Sequence, residues 1–150
     1  MTQSVRYRIS AAFVAALRTQ FEPSAKVKRN PREPSPTKDG ARIVLFIDGR
    51  DGLIEQPGQQ PKRTFSFQVG ALNRSEGEAA DAGADADYVA AEAVLRGAFA
   101  SLAASLAAGS VQLGSLHERE ITFASEDVDV GGALVLGAFD IDYRSPKPAR

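Results

Sequence analysis

Near the start of the chain Val5, Tyr7 and Ile9 alternate with Arg6, Arg8 and Ser10, a pattern that fits a short half-buried strand or the first turns of a helix. From Ser10 the period lengthens. Phe13, Leu17 and Phe21 recur at four-residue steps with Ala16 beside them, which predicts an amphipathic helix capped by Ser10 and stopped at Pro23. Over residues 22–40, Pro23, Pro31, Pro34 and Pro36 interrupt the basic residues Lys26, Lys28, Arg29, Arg32 and Lys38. Proline denies such a stretch a helix or a central strand, which leaves room for a short edge strand around Ala25–Lys28 with Val27 inward. Arg42–Asp48 holds an unbroken run from Ile43 to Ile47, predicting a central strand covered on both faces and ended by Gly49, Asp51 and Gly52. A Gly/Pro/Gln loop over 50–61 follows. Then Phe65, Phe67 and Val69 alternate with Thr64, Ser66 and Gln68, the signature of a strand over 62–72 with one buried face.

Residues 73–87 are acidic and lack large apolar groups, so they read as a surface loop. Tyr88, Ala91, Leu95, Phe99, Leu102 and Leu106 then form one stripe of a long helix, with Asp85 or Asp87 as its cap and Gly109 as its stop. His117–Ser125 and Ala133–Tyr143 alternate as two strands joined across 126–132, a hairpin, and residues 144–150 form a basic tail. The expected core is Phe13, Leu17, Val44, Phe46, Phe65, Phe67, Leu95, Phe99, Leu102, Phe123, Phe139 and Ile141. The elements predict an α/β or α+β domain, one domain over residues 1–150.

Composition narrows the function classes. The chain has 150 residues, 43% hydrophobic and 25% charged, the balance of an ordinary soluble domain. A net charge of −1 argues against a general nucleic-acid binder. With no cysteine there is no disulfide framework, thiolate metal site or thiol nucleophile. No apolar run approaches the ~18 residues of a membrane span, and the first residues lack the apolar core of a signal peptide. The charge is unevenly spread: +6 over residues 1–50, −4 over 51–100 and −3 over 101–150. Such a dipolar chain suits head-to-tail contact between copies, or internal neutralisation within one monomer.

Catalytic signatures are missing: no glycine-rich phosphate loop, no HExxH and no GxSxG. His117, the one histidine, stands beside Glu118 with no nucleophile motif near it, and reads as a structural or surface residue. Asp81, Asp85 and Asp87 lack the calcium-loop pattern and its distal glutamate. Asp140 and Asp142 share one face of a strand, as a solvated sheet surface or as partners for a neighbouring subunit. The expectation is a protein without catalysis, cofactor or metal.

The order of elements carries a resemblance over residues 5–144. A helix "ISAAFVAALRTQF", a basic proline-broken loop, the strands "RIVLFID" and "RTFSFQV", the helix "DYVAAEAVLRGAFASLAASLAAG" and a closing hairpin "REITFASED" and "GGALVLGAFDIDYR" together resemble the tail terminator proteins of long-tailed bacteriophages, the minor tail protein U type. The resemblance implies an α+β fold, a mixed and mostly antiparallel sheet of four to five strands packed against two α-helices, and a homohexameric ring that caps the finished tail tube, stops its polymerisation and offers a surface for head joining. Its implied partners are other copies of itself, the tail tube protein and a neck protein, with no membrane and no specific nucleic acid. The implied location is the tail–neck junction of a virion assembled in the host cytoplasm. Another neck or tail-completion protein, or a bacterial α/β small-molecule-binding domain, are the alternatives. The charge division assigns the contact residues of this reading to Lys26, Lys28, Arg29, Arg32 and Lys38 on the basic side, and to Asp48, Asp51 and Glu55 on the acidic side, with the acidic stretch 76–87 adding to it.

Overall fold

In the computed structural model the first helix is capped by Ser4, not Ser10: the Tyr7 amide donates to Ser4 Oγ at 3.2 Å. Residues 3–32, 40–55, 61–125 and 132–145 are described. Helix α1 runs Val5–Phe21, so Val5, Ile9, Phe13, Leu17 and Phe21 form one buried stripe and the alternation of residues 5–9 belongs to a helix. Strand β1 is Lys26–Arg29, the short edge strand allowed among the prolines, with Val27 buried. Strands β2 (Arg42–Glu55) and β3 (Lys62–Asn73) follow, then helix α2 (Glu78–Ala107), then β4 (Gln112–Ser125) and β5 (Ala133–Arg144). The sheet order is β1-β2-β3-β5-β4; β1 lies parallel to β2 and the other pairings are antiparallel. The fold is α+β, a mixed and mostly antiparallel five-stranded sheet with two helices, as the resemblance implies.

Both helices cover one face of the sheet. Phe67 is the hub of the core, with ring centroids 5.0 Å from Phe46, 5.4 Å from Phe65, 5.5 Å from Phe139 and 5.6 Å from Phe13. These rings tie β2, β3, β5 and α1 together at separations where aromatic pairs attract. Among the described residues no helix lies on the other face of the sheet. There Ile43 sits across from Leu72 and Leu72 from Leu134, while Leu45 and Leu136 flank Gly70 on either side. Ile43 and Leu72 are buried there, while Leu45, Ile47, Leu134 and Leu136 are half-buried, so β2 is covered on this face only in part.

Further expectations change. Residues 78–87 of the supposed acidic loop are the first turns of α2. Ala80 and Ala84 are buried there, because alanine lets a helix lie close to a sheet without any bulky group to announce the contact. Glu78 and Asp81 stand in the first turn, where the helix dipole favours acids, and Asp87 lies inside the helix rather than at its cap. Phe123 is 69% exposed and Phe99 only partly buried, against their place in the expected core. Phe123 lies across from the buried Val135, so it points to the helix side of the sheet, but on the outer strand, past the cover of α2. At the C-terminal end, Arg144 completes β5 and Ser145 is buried, while 146–150 lie outside the described residues.

Helix α2 also bears on the membrane expectation. Its best 18-residue window has a mean hydropathy of 1.4, so by length and composition it could cross a membrane. One side of the helix, with Tyr88, Ala91, Leu95, Leu102 and Leu106, is buried in the core.

Gly137 in β5 is fixed by α2. An added Cβ would overlap the Tyr88 hydroxyl and come 2.5 Å from its Cζ. Gly137→Ala is therefore expected to cost about 1–3 kcal/mol by overpacking, measured by urea unfolding. In a Tyr88→Ala background, itself destabilised, the added cost of Gly137→Ala should shrink.

Candidate interaction surfaces

Asp51, assigned above to the acidic side of the contact, is the centre of a buried polar network. A register shift between Asp48 and Asp51 brings it opposite Phe65, on the helix side of β2. Its side chain is 7% exposed. Arg63 Nε donates to it at 3.1 Å, the Tyr143 hydroxyl at 2.7 Å and Arg6 Nη1 at 3.4 Å. Asp48 is likewise engaged inside the chain. It accepts from Ser10 Oγ at 2.6 Å and from Asn30 Nδ2 at 2.9 Å, and its amide donates to Asn30 Oδ1 at 2.7 Å. Arg29 Nη2 lies 3.6 Å from the Asp48 carboxylate, and the Arg29 guanidinium sits 4.6 Å over the Tyr7 ring. These contacts fasten α1 and β1 to the bulge of β2.

Of the remaining charge-division residues, Lys26 and Arg32 are exposed and Lys28 and Arg29 half-buried along the β1 flank. Glu55 ends β2, and Lys38 lies outside the described residues. The structure thus brings Lys26, Lys28, Arg29 and Arg32 together on one side of the sheet. It draws Asp48 and Asp51 inward, to Ser10, Asn30, Arg63 and Tyr143.

Sequence reasoning missed the fastening of α2. Asp87 holds Arg42 through two hydrogen bonds, 2.9 Å from Nε and 2.8 Å from Nη2, which pins the helix to the start of β2. This fork-on-carboxylate geometry is the strong form of an ion pair. At the far side the Tyr88 hydroxyl donates to Glu118 Oε2 at 2.8 Å, fastening α2 to β4. On the open face Asp142 accepts from Thr64 at 2.6 Å and Asp140 from Ser66 at 2.8 Å. Asp140 also pairs with Arg119, and Asp142 lies 3.7 Å from Lys62 Nζ. A shallow groove of about 480 Å³ crosses that face, lined by Arg50, Ser66, Gln68, Arg119 and Asp140 among others. Among the described residues no group of three or more His, Asp or Glu side chains could hold a metal ion.

Burial, and then the hydrogen bond to a carboxylate and its charge, push the phenols of Tyr88 and Tyr143 well above the ordinary tyrosine value. The folded state therefore keeps both neutral. Their contribution to stability is complete below the unfolded value of about 10 and is lost as pH rises beyond it. The urea midpoint should fall between pH ~9 and pH ~11, and Tyr88→Phe/Tyr143→Phe should flatten that fall.

No protein-family model matches the chain, and no curated protein matches it. Among solved structures, a chain of the virion of a native gene transfer agent (GTA) particle is similar at a TM-score of 0.50 and 12% identity, covering 95% of this chain and 96% of that one. At this identity the likeness is one of fold.

Proposed function

We propose that this chain is a structural protein of a phage-like particle, and that it caps the tail tube as a ring at the tail–neck junction. The observation that carries the reading is the likeness of fold over nearly the whole of both chains to a component of a gene transfer agent virion. The element order that resembles tail terminators supports the same reading independently. In this role the mechanism is geometric. Copies of the chain close into a homohexameric ring, and the ring occupies the sites that the next tube subunit would use. Polymerisation stops, and the outer surface of the ring receives the head. A rigid sheet-and-helix frame that presents charged loops and flanks suits such a part. Catalysis, cofactors and metals form no part of the reading. Partners are further copies, the tube protein and a neck protein, met during assembly in the host cytoplasm.

The test is deletion of the coding sequence in the producing host, followed by electron microscopy of the particles. The tail-capping reading expects tubes of uncontrolled length and heads without tails. Tails of normal length that fail to join heads would instead assign the chain to another neck component. Normal particles would overturn both.

A further inference from the structure

The two flanks of the sheet differ in character. The β1 flank is basic: Lys26 and Arg32 are exposed, and Arg29 lies over Tyr7, itself 44% exposed. The β4 flank carries apolar groups left in water. Phe123 is 69% exposed and Ile121 38%, and across from them on β5 stand Val135 and Gly137, already covered by the core. Helix α2 meets this flank through Tyr88, which bonds Glu118, and through Arg96, whose Nη1 donates to the Leu116 carbonyl at 3.5 Å. At about 100° per residue, Glu78, Asp81 and Asp85 fall on the same side of the helix as Tyr88 and Arg96, and Val89 falls at its outer margin. All three acids are exposed, and Val89 is 57% exposed. The helix runs antiparallel to β4, since Tyr88 meets Glu118 and the later Arg96 meets the earlier Leu116. The acids of its first turns therefore lie toward Ile121 and Phe123. The arginines of this flank are held within the chain, Arg96 by Glu92 and Arg119 by Asp140. The result is a small apolar patch bordered by carboxylates on one flank, and a cationic surface with an exposed tyrosine on the other.

We infer that the β4 flank, with Phe123 and Ile121 at its centre and Glu78, Asp81 and Asp85 at its border, docks the basic β1 flank of a second copy of this chain. Opposite charge selects the partner and sets its orientation, while burial of Phe123 supplies affinity. A contact between two different flanks is head-to-tail, the kind that closes into a ring or continues as a filament. The inference deepens the proposed tail role and rests on it for the ring as the closed form.

The absence of cysteine makes the test direct. Ser24, just before β1, and Ala82, on α2 between Asp81 and Asp85, are both exposed and bear none of the proposed contacts. Ser24→Cys and Ala82→Cys proteins are purified separately, mixed at low ionic strength and treated with a short bis-maleimide. The expected result is a cross-linked dimer in the mixture and little in either protein alone, with a ladder of oligomers from the double variant. Phe123→Ser should lower the yield about ten-fold or more, as loss of an interface anchor does, with the melting temperature unchanged. Asp81→Lys/Asp85→Lys should also lower it, and a partner carrying Lys26→Glu/Arg32→Glu should restore it. Cross-linking within Ala82→Cys alone, no product in the mixture, or a yield indifferent to Phe123 would overturn the inference. Particles that lack the chain while the cross-link still forms would remove the tail role and leave the self-association standing.

Discussion

Replacing Phe67 with alanine is expected to lower the unfolding free energy by about 3–5 kcal/mol, the cost of emptying a fully buried aromatic site. Phe67 is 1% exposed and contacts the rings of Phe13, Phe46, Phe65 and Phe139, so no neighbour can fill the space without abandoning its own packing. Against a total of about 5–15 kcal/mol for a domain of this kind, the loss is a large fraction of all the stability there is. Phe123→Ala is the control. The same chemical change on a side chain that stands in water should stay within about 0.5 kcal/mol. Urea unfolding followed by circular dichroism measures both. A loss below ~1 kcal/mol at Phe67 would mean that the aromatic cluster does not hold the core together.

The second large effect belongs to Asp51. Asp51→Ala leaves the Arg63 guanidinium, 14% exposed, without its carboxylate, and the buried Tyr143 hydroxyl without its acceptor. Breaking a buried pair by removing one partner costs about 3–5 kcal/mol, because the surviving charge stays desolvated and uncompensated. Asp51→Asn keeps an oxygen for Tyr143 and should cost less. In an Arg63→Ala background the cost of Asp51→Ala should shrink, since the stranded charge is already gone. Equal costs in the two backgrounds would show that Asp51 acts alone, with Arg63 as a bystander.

Much of the fold was legible because large apolar residues repeat at clear periods. Phe65, Phe67 and Val69 on β3, and Leu95 and Leu102 on α2, face the core as their spacing requires. Legibility failed where small or polar residues made the decision. The start of α2 rests on Ala80 and Ala84, whose burial gives no signal in a chain rich in alanine. Phe123 keeps the alternation of an inward residue and points to the helix side, yet the strand sits at the edge and α2 does not reach it; periodicity reports a face, not its cover. Asp51 reads as a turn acid because it lies in the stretch GRDG. Its burial depends on a register shift and on Arg63 and Tyr143, which lie 12 and 92 positions away. The basic cluster of the β1 flank was readable as a surface feature. The patch formed by Ile121, Phe123 and the first turns of α2 was not, because the fold alone brings those segments side by side.

Whether the chain forms a ring at the junction of tail and head is decided by electron cryomicroscopy of particles from the producing host. The expected result is one layer of density at the end of the tail tube, six-fold about the tail axis, into which the two-helix, five-stranded fold fits with the β4 flank of each copy against the β1 flank of the next. Particles in which this chain is absent, or lies in the shell of the head, would contradict it.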